Sequence, residues 1–105
     1  MHAIHPDALP EQSTETCVFK TLLPPALGGS LAAYLLTVTK DDLHSHEHED
    51  QVYIIKNGRG VMRINDQEQE VGPGCLVHIP RGQPHALRPL DGNPVVLYSL
   101  MYRSP

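Results

Sequence analysis

The sequence predicts an all-β sandwich or barrel, and three observations carry that expectation. Ten Pro and eight Gly among 105 residues recur at intervals that suit short strands and would interrupt any long helix. Hydrophobic residues make up 40% of the chain, yet there is one Phe and no Trp, so the core must be built from Val, Leu, Ile and Ala, an aliphatic set that favours β packing. Turn signals separate roughly eight or nine short apolar runs at intervals of about 8 to 12 residues, the rhythm of strands rolled into two packed layers. Rolling hides the unpaired edges and the naked apolar face that a single long sheet would leave. The length fits one domain.

Residues 1–16 are polar, contain Pro6 and Pro10 and hold no sustained period, so they are expected to form a mobile arm or irregular edge segment ahead of a barrel over residues 17–105. Residues 17–23 carry β-branched and aromatic side chains and stop at Pro24 and Pro25, with Gly28 and Gly29 beyond. Residues 31–39 read as a strand because they are too short and too rich in β formers for a helix. Residues 52–56 end at Asn57-Gly58 and residues 61–65 at Asp66, turn chemistry that closes tight hairpins. Residues 68–71 stop at Gly72-Pro73-Gly74, and residues 76–79 at Pro80-Arg81-Gly82-Gln83-Pro84. Residues 86–88 and 95–102, split by Asp91-Gly92-Asn93-Pro94, complete the series.

Charge and length exclude several function classes. The formal charge is −4 and no Lys/Arg cluster occurs, so the field that holds a phosphate backbone is missing and no nucleic-acid partner is expected. The apolar runs are far shorter than the roughly 20 residues of a membrane-crossing helix. The polar, acidic start does not read as a signal peptide, which points to a cytoplasmic location and reduced, half-buried thiols at Cys17 and Cys75.

The histidines are the informative feature. Of seven His, His44, His46 and His48 fall within five positions. Side chains two apart on an extended chain point to one side, so His44 and His46 can grip one ion, and neutral imidazole is a common ligand of Zn, Ni, Fe and Mn. Gln51 then opens a strand and offers an amide oxygen. His85 follows the rigid turn 80–84, which fixes where its ring projects. The plain alternative for His44 and His46 is a solvated loop. His48 continues the alternation, whereas Asp50 supplies a carboxylate only in a register that sends Tyr53 and Ile55 to the other face. His78, His2 and His5 read as surface residues.

These residues also carry a family resemblance. His44-Ser45-His46, then Gln51 and Gly58, resembles the first motif of the cupin superfamily, with Gln51 where that motif has Glu. Gly74, Pro80, Gly82 and His85 have the spacing of the second cupin motif, whose closing Asn is here Pro89. The resemblance implies a single-domain jelly-roll barrel and the metal ligands His44, His46, Gln51 and His85 around one divalent ion (Zn, Ni, Fe or Mn).

Gln51 bears on the chemistry. A His₃Gln shell leaves the charge of a divalent ion uncompensated, which makes it a stronger Lewis acid and attracts a small anionic molecule with adjacent oxygens. This favours isomerisation, tautomerisation or elimination over dioxygen chemistry. Small cupins with Gln at this position include those similar to pectin-degradation proteins that act on unsaturated uronates, which carry an Asp, a Phe and an Arg on the last strand. Here the counterparts are Leu97, Ser99 and Arg103, so another acid/base is required. Tyr53, Tyr98, Tyr102 and His48 are the candidates, with Arg63 and Arg103 as partners for a substrate carboxylate. The competing expectations are a mononuclear Fe or Mn dioxygenase and a non-catalytic binding or sensing module. Apolar side chains on both faces of residues 31–36 and 95–100 lead us to expect a homodimer.

Overall fold

The computed structural model describes residues 1–41 and 43–103. Among the described residues nine strands follow one another in the order β1 (Gln12–Ser13), β2 (Cys17–Leu23), β3 (Leu31–Val38), β4 (Glu49–Asn57), β5 (Gly60–Ile64), β6 (Gln67–Val71), β7 (Leu76–Ile79), β8 (His85–Pro89) and β9 (Val95–Arg103). A 3-10 turn at Pro6–Ala8 and one helical turn, α1 (Pro25–Gly28), are the helical pieces among the described residues. β1-β2-β3-β9-β4-β7 form a six-stranded sheet and β6-β5-β8 a three-stranded sheet, with antiparallel pairing throughout. This is the all-β jelly roll that the sequence predicts.

Two features add to the sequence reading. Within residues 1–16, β1 pairs with β2 through Gln12↔Phe19 and Ser13↔Val18, and Lys20 Nζ donates to the Pro6 carbonyl at 3.0 Å. β4 begins at Glu49 rather than at residue 52, because β9 runs far enough to pair Glu49 with Arg103 and Asp50 with Tyr102. Those polar residues lack strand propensity of their own and are held extended by the neighbouring strand.

Alternation sorts the side chains. Tyr53 and Ile55 on β4, Met62 on β5, Val71 on β6, Ile79 on β7, Leu87 on β8 and Val95 and Leu97 on β9 point inward and form the buried core. Val95, Leu97 and Ile55 are at most 2% exposed, and burial of each such side chain contributes roughly 1.5–3 kcal/mol. On the outer face of the large sheet Leu31, Leu76, Leu100 and Tyr102 stay exposed, and Leu35, Ile54 and Tyr98 half-buried. β3 and β9 are therefore apolar on both faces. Cys17 and Cys75 are both half-buried, and Cys17 Sγ donates to the Val18 carbonyl at 3.3 Å. Among the described residues no helix is long and apolar enough to cross a membrane.

Gly58 makes the β4–β5 turn possible. Its φ is +82°, and a Cβ there would stand 2.3 Å from the Pro94 carbonyl oxygen and 3.1 Å from Val95 Cα, both backbone atoms. Gly58→Ala should therefore destabilise the fold by roughly 2–3 kcal/mol. Urea denaturation checks this, and a midpoint equal to that of the unchanged protein would refute it.

Candidate metal centre

The site begins with a backbone contact. His44 N donates to His85 O at 3.0 Å and His85 N donates to His44 O at 2.8 Å, a reciprocal antiparallel bridge between the β3–β4 connection and β8. On its other side His85 pairs with Ile64 of β5. The turn before β8 is fastened to the same connection by Gly82 N, which donates to His46 O at 2.7 Å. These bonds bring the nitrogens of His44, His46 and His85 within 4.8 Å of one another. Their ring centroids lie 5.2 Å (44–46), 4.2 Å (44–85) and 5.8 Å (46–85) apart.

Two of the rings are prepared to ligate. His85 is buried and its Nδ1 donates to the Gln83 carbonyl at 3.1 Å, which puts the lone pair on Nε2. Burial pushes the His46 pKa below its ordinary 6.5, and repulsion from His44 lowers it further against the opposing pull of Glu49, so the neutral, metal-competent form is favoured. Gln51, 4% exposed, donates from Nε2 to Ser99 Oγ at 2.8 Å, and its Oε1 is a buried oxygen that accepts no hydrogen bond. A buried carbonyl left unmatched costs about 1–3 kcal/mol, and a cation bound beside it would remove that cost. Three imidazoles and one amide oxygen thus fit a borderline divalent ion.

A family profile described as "Cupin domain" matches residues 37–101, more than half of the chain. The chain is a cupin. Over 74 residues it is 31% identical to an uncharacterized protein of Methanocaldococcus jannaschii, a match covering 70% of this chain and 59% of that relative. A solved structure titled a predicted oxalate decarboxylase from Thermotoga maritima superposes with a TM-score of 0.87 at 15% identity, covering 97% of this chain and 99% of the other. The ectoine synthase of P. lautus gives 0.88 at 14% identity, covering 98% and 78%. At such identities the two structures speak for the fold alone.

The remaining candidates divide by face. Tyr53 is buried beside the histidines, its ring 6.2 Å from that of His85. Tyr98 and Tyr102 alternate with the inward Leu97, Ser99 and Met101 and so lie on the outer side of the sheet, where Lys56 sits 5.9 Å above the Tyr98 ring. This parity places both on the face away from the histidine cavity, unlike the acid/base position expected of them. Arg63 also lies away from the cavity, since Met62 takes the inward position and Arg63 lines a small outer hollow with Glu68 and Arg88. His48 is exposed in the bend before β4. Arg103 reaches the rim and donates to Glu49 Oε1 at 2.6 Å.

Glu49 is the site residue that the sequence reading missed. It lines the cavity of the histidines, with Oε2 4.0 Å from His46 Nδ1 and a side chain 19% exposed. Alternation run backwards from Gln51 would have found it, had the strand been started three residues earlier. Asp50, of opposite parity, accepts instead from Arg81 N at 3.0 Å and Arg81 Nη2 at 3.1 Å, fastening the turn that carries His85. The Arg81 side-chain hydrogen bond, with the backbone bond and the guanidinium charge, holds the Asp50 pKa below its ordinary 3.8. A depressed carboxyl pKa contributes stability above the unfolded value and loses it as pH falls through the folded one, so this clamp persists through mildly acidic pH.

Two substitutions test the centre. His85→Ala should abolish stoichiometric metal retention after dialysis against a weak chelator, measured by elemental analysis. Ser99→Ala keeps every ligand yet frees the Gln51 amide to turn, and should weaken metal affinity roughly 10- to 100-fold; unchanged affinity would remove Ser99 from the site.

Proposed function

We propose that this cupin holds one divalent metal ion through His44, His46, Gln51 and His85 and acts on a small oxygenated acid by isomerisation, tautomerisation or elimination. The observation that carries the reading is Gln51 Oε1, a buried carbonyl oxygen without a hydrogen bond, on a side chain that donates to Ser99 and lines the same cavity as His44 and His46. All four ligands are neutral, so a bound ion would supply Lewis acidity that no ligand charge offsets. The chain itself supplies the rest. Glu49 is the carboxylate that the cavity offers for taking and returning a proton, and Arg103 on its Oε1 leaves Oε2 toward the histidines. Buried Tyr53 and Leu87 close the floor against water.

Metal-loaded protein incubated with 2-hydroxy and 2-oxo acids in deuterated water should incorporate deuterium at the carbon beside the oxygenated centre, as read by NMR. Glu49→Gln should slow that exchange roughly 100-fold with metal content unchanged. Dioxygen consumption by the iron-loaded protein would replace this reading with the dioxygenase one, and binding without exchange or oxygen uptake would replace it with the sensing module.

We further infer that the apolar outer face of β3 and β9 pairs with a second copy of the chain. Leu31, Leu100 and Tyr102 are 52%, 40% and 43% exposed there, a patch that a lone small domain would leave wet. Sedimentation at micromolar concentration should show a dimer that Leu100→Asp converts to a monomer; a monomer before substitution would reject the pairing.

A further inference from the structure

One wall of the histidine cavity takes no part in the metal chemistry. Phe19 of β2, Tyr34 and Leu36 of β3 and Met101 of β9 point into it from the large sheet. All four remain half-buried, whereas Ile55, Val95 and Leu97, farther along the same inner face, are at most 2% exposed. The opposing sheet has three strands against six, so the second layer is half as wide as the first and this end of the inner face stays open. Phe19 and Tyr34 meet edge to face, with centroids 6.3 Å apart at 80°, which leaves an aromatic corner beside the cavity.

The polar groups collect beside that wall. Glu49 and Gln51 stand on β4, next to β9 with Gln51 paired to Met101, His44 and His46 complete that end, and no lysine or arginine among the described residues lines the cavity. Arg103 is engaged by Glu49 and is largely exposed at the rim. A second carboxylate would therefore meet Glu49 and no lysine or arginine, since the other polar groups of the lining, the hydroxyls of Thr14, Thr16 and Ser99, are uncharged. The cavity holds about 460 Å³, within the roughly 300–1,000 Å³ of small-molecule sites. That leaves room for a ring or branched chain beyond a two-oxygen head.

We propose that the substrates are monocarboxylates with an adjacent hydroxyl or oxo group at one end and an aromatic or branched alkyl body at the other, selected by Phe19, Tyr34, Leu36 and Met101. The inference rests on the metal reading for the head and on the apolar wall for the body. Oxalate-like dianions and tartrate fall outside the class, because their second carboxylate would meet Glu49 and no lysine or arginine in the lining.

Calorimetric titration of the full chain, with and without one equivalent of Mn²⁺, tests both parts using glycolate, 2-hydroxyhexanoate, 3-phenyllactate and tartrate, which share one head. With metal, 3-phenyllactate and 2-hydroxyhexanoate should bind at least roughly tenfold more tightly than glycolate, as expected from about fourfold per buried methylene, and tartrate no more tightly than glycolate. Phe19→Ala and Met101→Ala, two separate variants whose folding is checked by thermal melting, should each shrink the 3-phenyllactate to glycolate ratio at least threefold. Equal affinities for glycolate and 3-phenyllactate, tighter binding of tartrate, or no binding of any probe would overturn the proposal. Preference for the apolar body that is identical with and without Mn²⁺, at identical affinities, would instead sink the metal reading and leave the apolar selection standing.

Discussion

The pair of backbone hydrogen bonds between His44 and His85 is the constraint on which the site depends. Without it the two rings belong to a connection and a strand far apart along the chain, tied only indirectly through the Gly82–His46 bond and the Asp50–Arg81 clamp of the neighbouring turn. With it, the rings sit with centroids 4.2 Å apart, and His46 follows because Gly82 N binds its carbonyl. Main-chain bonds of this kind are insensitive to which side chains they carry. The ligand geometry is thus set before any ion arrives, so binding need not order the loop.

Around that bridge the molecule is built asymmetrically. A six-stranded sheet faces a three-stranded one, and where the two overlap the inner residues pack to near-zero exposure. Beyond the overlap the same alternation continues with no second layer to meet it, and Phe19, Tyr34, Leu36 and Met101 border open space. Core and cavity are therefore one surface divided by the width of the smaller sheet. Binding sites in barrels commonly use such an open end, because the rigid remainder holds the walls.

Charge is distributed with equal economy. The proposed ligands are neutral, the carboxylate of Glu49 is balanced by Arg103 at the rim, and Asp50 with Arg81 is turned outward to fasten the turn below His85. Neighbouring carboxylates at positions 49 and 50 thus do different work because strand parity places them on opposite sides. Ser99 contributes a hydroxyl where a carboxylate would compete for the metal, and it orients the Gln51 amide instead.

Much of this was legible in the sequence, for physical reasons. Proline and glycine punctuation sets strand number and turn position locally, and the spacing of His44, His46, Gln51 and His85 survives as a pattern because side chains of fixed parity must converge. Pairing between distant strands carries no such local mark. The start of β4 at Glu49, and with it the carboxylate in the cavity, depends on β9 extending to Arg103, and polar residues 49–51 announce no strand by themselves. The sides taken by Tyr98, Tyr102 and Arg63 likewise follow from register, where a shift of one residue exchanges inside for outside. The sequence by itself determined the jelly roll and the histidine pattern, since both rest on local spacing. The tertiary structure decided the place of the Glu49 carboxylate and the apolar wall, since both arise where strands from opposite ends of the chain lie side by side.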